Sequence, residues 1–490
     1  MPDPIEKSPL HRLANPRSLA VFGASNNVMA MGSNLLMSLE SIGYPGRIYP
    51  VHPREDRIRG RPAFTSVLDL PETPDLALIV LPPQVVCQVL DECGQKGIRR
   101  AIVVSGGFKE VGGQGVALEK ELQAVAVQYG IRVLGPNCLG VANPIGRLNT
   151  TFVPFEGTAG HIGMVSQSGS FVTQMFNYLD RFGLGFSTAF SVGNEMDLDL
   201  VDCLAYLGAC PDTRVIALYV EGINRGRAFL DVARSIVPHK PIVAFYAGSS
   251  QAGRRAGFSH TGAMAGPTRL YDGIFRQSGI LKARSITELF DFCWVLGSQS
   301  PPQGRRVAVQ TNSGGPGAAA ADACEQAGLE LPVLSPATTE KLAEYIPQTG
   351  SIKNPVDVTY SRNPDDFLQG ILLALLDDDR TDSLLIYFYT PRSVIQRYLE
   401  GSGMPRAQAA AESDQLLQIQ AEKASDLINR HPKPVIGFTW RSLEEPFNQT
   451  LLKGGVPLFP DPECGARALA ALARYRELRD KLLAGIEKAA

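Results

Sequence analysis

No apolar run in this 490-residue chain reaches the roughly 18 residues that a membrane-spanning helix needs, so no membrane partner is expected. The first residues also lack the apolar core of a secretory signal, which makes the cytoplasm the expected location. The 8 cysteines are dispersed without a C-x-x-C pair, and the 6 histidines are equally scattered. That spacing argues against a zinc site, and dispersed thiols suit a reducing compartment. Lys and Arg (47) nearly balance Asp and Glu (49), leaving a net charge of -2 with no basic run, so no nucleic-acid partner is expected. A nucleotide-binding G-x-x-x-x-G-K-[ST] loop is missing as well.

What the chain does contain is a regular alternation of short apolar runs and helical segments. Ser18–Phe22, 47–51, 75–81, 101–105 and 132–135 read as strands with helices between them. The pattern resumes with strands near 163–166, 186–192, 215–220 and 242–246, and again with 306–311, 383–389 and 434–439. Strands alternating with helices predict βαβ units and a parallel sheet. The length suits about three domains. The expected fold class is therefore α/β, with three consecutive Rossmann/flavodoxin-like domains and mainly parallel sheets. Turns rich in Gly and Pro put the boundaries at 1–148, 149–302 and 303–490, with a polar, Ala- and Gln-rich helical insertion near 392–430.

Three strand–turn–helix junctions stand out, at 23–32, 166–171 and 312–318. A Gly/Ser turn at a helix start presents free N–H groups and about half a positive charge, a natural anion cradle. The first turn matches a dinucleotide fingerprint only loosely, as Gly23-x-Ser25. The second strand leads to Arg54 rather than to an acidic ribose partner, which suits a ligand carrying an additional phosphate better than NAD. His260 lies among small residues in Arg254-Arg255-Ala256-Gly257-Phe258-Ser259-His260-Thr261-Gly262. Imidazole there can be approached closely and is largely neutral near pH 7, so it is a candidate nucleophile; the plain alternative is an inert, hydrogen-bonded histidine. Glu221 directly follows the apolar strand 215–220, at the sheet edge where parallel sheets place ligands. A carboxylate there can hold the other imidazole N–H, while the alternative is a capping or solvated glutamate.

Taken in order, Val21-Phe22-Gly23-Ala24-Ser25, Ser105-Gly106-Gly107-Phe108-Lys109-Glu110 and Gly135-Pro136-Asn137-Cys138-Leu139-Gly140 form a specific set with four later runs. Those are Ser166-Gln167-Ser168-Gly169, Tyr219-Val220-Glu221-Gly222-Ile223, Ser259-His260-Thr261-Gly262 and Asn354-Pro355-Val356-Asp357-Val358. With them the chain resembles, from about residue 15 to about residue 475, the α subunits of NDP-forming acyl-CoA synthetases. These form the ADP-forming acetate–CoA ligase branch of the succinyl-CoA synthetase superfamily. The resemblance implies a first domain that binds CoA, with Gly23, Ala24 and Ser25 near its phosphates. Pro82, Pro83, Asn137 and Cys138 would line the rest of that site. It implies that His260 is transiently phosphorylated and that Glu221 orients it. Ser168 and Gly169 in the second domain, and Gly314, Gly315 and Gly317 in the third, would start phosphate-facing helices, and Asn194 would border the acyl pocket. It further implies a separate ATP-grasp β subunit, in an α2β2 assembly, holding ATP or ADP with Mg2+, and a carboxylic acid as substrate. The chain departs from the family at Asn26–Gly32, where relatives carry basic or proline-containing stretches, and in its longer 392–430 insertion. A non-catalytic CoA-binding or regulatory protein of the same fold is the alternative, and an NAD-dependent oxidoreductase a third reading.

Overall fold

The computed structural model describes residues 5–250, 266–359, 365–389 and 392–487. His260 lies outside the described residues. The chain divides into two compact units, Met1–Cys293 and Trp294–Ala490.

The first unit holds two sheets. β1 (Ser18–Phe22), β2 (Arg47–Val51), β5 (Leu76–Ile79), β6 (Arg100–Val103) and β7 (Arg132–Leu134) form a parallel sheet in the order β2-β1-β5-β6-β7. A small ribbon, β3 (Arg57–Ile58) with β4 (Arg61–Pro62), follows β2. Every residue of β1 and β5 is buried, as expected of strands covered by helices on both faces. One face packs Ala20, Ile79 and Val103 against Val86 and Leu90 of helix Pro83–Lys96 and Leu122 of helix Gln114–Tyr129.

The second sheet has the order β14-β13-β12-β10-β11-β8-β9. Its strands are β8 (Gly140–Asn143), β9 (Leu148–Asn149), β10 (Thr158–Ser166), β11 (Gly185–Ser191), β12 (Val215–Val220), β13 (Ile242–Tyr246) and β14 (Leu281–Ala283). β8 and Leu148 of β9 fall on the first-domain side of the boundary expected at 148, yet they belong to this sheet: β8 pairs antiparallel with β11, Ala142 opposite Ala189. The alternating motif predicts only the parallel part, because antiparallel addition to a distant edge leaves no local signature.

The second unit carries β15 (Val307–Thr311), β16 (Val356–Asp357), β17 (Ser383–Tyr387), β18 (Val435–Phe438) and β19 (Leu458–Phe459), all parallel, in the order β16-β15-β17-β18-β19. The segment expected as an insertion forms two helices, Arg392–Gly401 and Arg406–Arg430. The longer one packs Leu417, Ala421 and Ile428 into the core of this unit. Among the described residues no helix is long and apolar enough to cross a membrane.

One topological fact positions everything that follows. In each parallel set the earliest strand lies between the second and third, so the switch point of the winding falls at the ends of β1, β10 and β15. Such crevices, at the carboxyl ends of the strands, are where open α/β sheets take ligands. The three junctions read from the sequence occupy these three places.

Candidate functional site

At the first switch point the chain leaves β1 through Gly23, whose φ of +91° favours glycine. A methyl group on Gly23 would lie 2.0 Å from the Val80 carbonyl oxygen, so the turn rests directly on the end of β5. Ala24 is buried, while Ser25 is held by Ser33: its N–H donates to Ser33 Oγ at 3.0 Å and its carbonyl accepts from the same hydroxyl at 2.8 Å. Helix Met31–Ser41 then begins without a side-chain cap, leaving its positive end open. Pro82 and Pro83 start the helix after β5, and the Ser105 hydroxyl accepts from Leu81 N–H at 3.0 Å. Asn137, at φ 56°, follows β7, and its N–H donates to the Ser105 carbonyl at 2.9 Å. Gly23, Ser25, Pro82, Pro83 and Asn137 are therefore gathered along one sheet edge. Cys138 is only 2% exposed, and burial pushes its thiol up to about 12. Its side chain is a packing element there. Arg54 is exposed just past β2, and the neighbouring Glu55 carboxylate accepts from Asn26 N–H at 3.0 Å.

At the second switch point Gln167, directly after β10, spans three strand ends. Its Oε1 accepts from the backbone N–H groups of Glu221, at 2.5 Å, and Gly222, at 3.0 Å. Its Nε2 donates to Glu195 Oε2 and to the Gly222 carbonyl, both at 2.9 Å. Glu195 Oε1 also accepts from Leu200 N–H at 2.8 Å. Burial pushes the Glu195 carboxyl up, the hydrogen bonds from Leu200 and Gln167 offset only part of this, and it stands at about 7. Gln167, Glu195 and Glu110 were not singled out from the sequence, although Gln167 and Glu110 stand in motifs quoted above and Glu195 directly follows Asn194.

Asn194, expected to border the acyl pocket, joins two loops. Its Nδ2 donates to Glu110 at 2.6 Å and to Glu119 at 2.8 Å, and its Oδ1 accepts from Asn137 at 3.3 Å. Lys109 donates to the Asn194 carbonyl and lies 3.5 Å from Glu119. Gly193 before it has φ +57° and sits against the Pro136 and Asn137 carbonyls, where a side chain would clash. Asn194 thus ties the second sheet's loop to the first sheet's ligand edge. Burial raises Glu110, but hydrogen bonds from Asn194 and from the Gly107 and Phe108 N–H groups outweigh it and hold that carboxyl below its ordinary range.

Glu221 follows β12, whose Val220 pairs with Tyr246 of β13. The chain on either side of residues 251–265 is tied at that same strand end: Tyr246 OH donates to the Gly266 carbonyl at 2.8 Å, and Thr268 Oγ1 to the Ser249 carbonyl at 3.0 Å. Glu221 therefore stands beside the strand end from which the histidine-bearing segment departs. Ser168 and Gly169 begin helix Gly169–Asp180, again without a side-chain cap. The turn is shaped instead by Ser166, whose hydroxyl donates to the Ser168 carbonyl at 2.7 Å.

The second unit repeats this device within itself. Thr311 Oγ1 donates to the Ser313 carbonyl at 3.0 Å, and helix Gly314–Gln326, with Gly314, Gly315 and Gly317 in its first turn, has no side-chain cap. Asn354 pairs like a strand residue with β15, accepting from Val309 N–H and donating to the Val307 carbonyl, each at 2.9 Å.

With this geometry in view, comparisons with known proteins agree throughout. Residues 17–144 match the CoA binding domain family, 159–296 the succinyl-CoA ligase like flavodoxin domain, and 307–399 the Ligase-CoA domain. The α subunit of ADP-forming acetate–CoA ligase II from Pyrococcus furiosus is 37% identical over 94% of this chain and 96% of its own length. ADP-forming acetate–CoA ligase I from Archaeoglobus fulgidus is 36% identical over 96% of this chain, which spans 64% of that longer relative. The crystallised dinucleotide-forming acetyl-coenzyme A synthetase 1 of Ca. Korarchaeum cryptofilum, in complex with phosphate and ADP, superposes with a TM-score of 0.84 at 34% identity, over 97% of this chain and 98% of that one. Similarity of this extent over nearly the whole length of an ADP-forming ligase α subunit favours the catalytic reading over a binding-only protein. The chain belongs to the α subunits of the NDP-forming acyl-CoA synthetases, acid–thiol ligases of the succinyl-CoA synthetase superfamily.

Proposed function

We propose that the chain interconverts acyl-CoA, phosphate and NDP with a carboxylic acid, CoA and NTP, through an acyl phosphate and a phosphohistidine at His260. Acetate and adenine nucleotide are the first candidates, following the names of its relatives. The observation that carries this reading is Glu221 at the end of β12, beside the tied strand end from which residues 251–265 depart.

CoA lies across the first switch point, its phosphates at the Gly23–Ser25 turn and the open start of helix Met31–Ser41. Glycine at position 23 lets the turn lie against the end of β5, where a Cβ would overlap the Val80 carbonyl. Phosphate attacks the thioester carbonyl, the carbon–sulfur bond breaks, and CoA leaves as thiolate. His260 Nε2 then attacks phosphorus, and the carboxylate departs from the acyl phosphate. The Glu221 carboxylate accepts the Nδ1 proton's hydrogen bond, which fixes the tautomer and stabilises the charged ring. Helix Gly169–Asp180 supplies N–H groups to the phosphoryl oxygens, as positioning and anion stabilisation dominate such transfers. We assign a similar anion-binding role to the Gly314–Gly317 start. The nucleotide and its Mg2+ belong to a separate ATP-grasp β subunit in an α2β2 assembly, consistent with the relative named as a subunit α. The cytoplasm supplies all of these reactants.

The test mixes the chain with its ATP-grasp partner, Mg2+ and γ-labelled ATP, and looks for acid-labile label. His260→Ala abolishes it; label that persists in the variant refutes the mechanism. Absence of label in the wild-type chain with every candidate partner, alongside normal CoA binding, favours the regulatory alternative.

A further inference from the structure

We infer that Gln167 is the positioning residue of the second-sheet site: its amide fixes the backbone on which Glu221 stands, and the Glu195 carboxyl fixes which way that amide faces. The inference rests on the reading of Glu221 as the group that orients His260.

Gln167 uses its whole side-chain amide. The oxygen takes the Glu221 and Gly222 N–H groups, and the nitrogen serves Glu195 and the Gly222 carbonyl. Its own N–H donates to the Tyr219 carbonyl at 3.2 Å, so one residue brackets positions 219–222. Reversing the amide would aim N–H at two N–H groups and oxygen at two oxygens. The correct orientation is therefore worth four hydrogen bonds, and an unmade one in such a place is costly. Glu195 cannot drift to release it, because its other oxygen holds Leu200 N–H at the start of helix Leu200–Ala209. The residue before it, Asn194, is locked to Glu110 and Glu119 of the first sheet's edge. A chain of named contacts thus runs from the loop beside the CoA edge to the base of Glu221. No atom of Gln167 is needed for the chemistry itself; its work is to keep the carboxylate where the ring needs it.

The experiment uses the full chain with its partner subunit, acetyl-CoA and labelled orthophosphate, and reads the rate of acid-labile labelling and the half-saturating acetyl-CoA concentration. Gln167→Met keeps the length and loses all four hydrogen bonds. It should slow labelling about 100-fold, the cost of a misplacement near 1 Å, with half-saturation unchanged within about twofold. Gln167→Glu keeps the acceptor but turns a second carboxyl oxygen toward Glu195. At alkaline pH it should be as slow as the Met variant. Its rate relative to wild type should recover as the pH is lowered, where two facing carboxyls share one proton. The other charged groups acting on that pair, Asp199 and Lys109, and the nearby Glu221 are common to both proteins, so the ratio cancels their direct effects. Wild-type labelling by Gln167→Met, or a Gln167→Glu ratio that is flat with pH, overturns the inference. A purely structural role is separated by half-saturation rising together with the loss of rate, which also overturns it. Glu221→Gln distinguishes the two levels: if it labels at the wild-type rate, the reading of Glu221 falls. If it is impaired while Gln167→Met is normal, only the positioning role falls.

Discussion

Gly23→Ala gives the sharpest test of how the first sheet holds its ligand. The added methyl would lie 2.0 Å from the Val80 carbonyl oxygen and 2.9 Å from its carbon, both backbone atoms that no side-chain rotation can move away. Relief to an ordinary carbon–oxygen contact of about 3.3 Å requires the turn to shift by about 1 Å. At a binding site, a misplacement of that size costs about 100-fold, or about 2.7 kcal/mol. The φ of +91° adds a conformational cost of about 1 to 2 kcal/mol for any residue with a Cβ. CoA titration by calorimetry should show the dissociation constant raised by about 100-fold or more. Labelled acetyl phosphate provides the internal control, because it enters after the step that needs CoA. Acid-labile labelling from it, relative to wild type, should be largely preserved in the variant. CoA affinity within a few-fold of wild type would refute the reasoning, since a clash this close leaves the turn no way to stay in place.

Two further outcomes concern stability. Glu195 holds its proton in the folded chain up to about 7, whereas its ordinary value is 4.5. Unfolding therefore releases a proton between those values, and stability falls as pH rises through that window, by about 3 kcal/mol in all. Thermal melts from pH 5 to 8 should show this loss in the wild type and a smaller one in Glu195→Gln; equal slopes would contradict the assignment. In the second unit Asp382 is only 3% exposed, and Arg306 binds both its oxygens, at 2.9 and 2.8 Å. Burial pushes that carboxyl up, but the Arg306 hydrogen bonds outweigh it and hold it below its ordinary range. Asp382→Asn should cost on the order of 2 to 3 kcal/mol, read as a lower melting temperature, because the half-exposed Arg306 retains water as a partner. An unchanged melting temperature would show the pair to be idle.

Much of the fold was legible because buried parallel strands and their glycine turns are local signals. The run 215–220 is a strand as expected, and all three junctions fall at switch points. β8 reads with the first domain because its partner, β11, lies far along the chain and only the folded sheet brings them together. The candidate site was legible to the extent that its motifs fall at the switch points. Its inner wiring was not. Gln167 reaches Glu195 across 28 residues and Glu221 across 54, and a glutamine in a motif looks the same whether it touches ligand or holds a neighbour. Asn194 likewise joins two loops through contacts that its place in the sequence does not show.

The hydroxyls of Ser166 and Thr311 have a consequence for the helices that follow them. A serine at a helix start ordinarily turns its oxygen back onto the first turn and stabilises it by about 1 kcal/mol. Ser168 and Ser313 stand in that position and leave the bond unmade, while the strand-end hydroxyls hold their carbonyls. Each helix is thus left short of a stabilisation its own sequence could provide. On the anion-binding role proposed for these helix starts, an arriving phosphate oxygen would complete what the serine withholds, and the energy forgone would reappear as affinity for that anion.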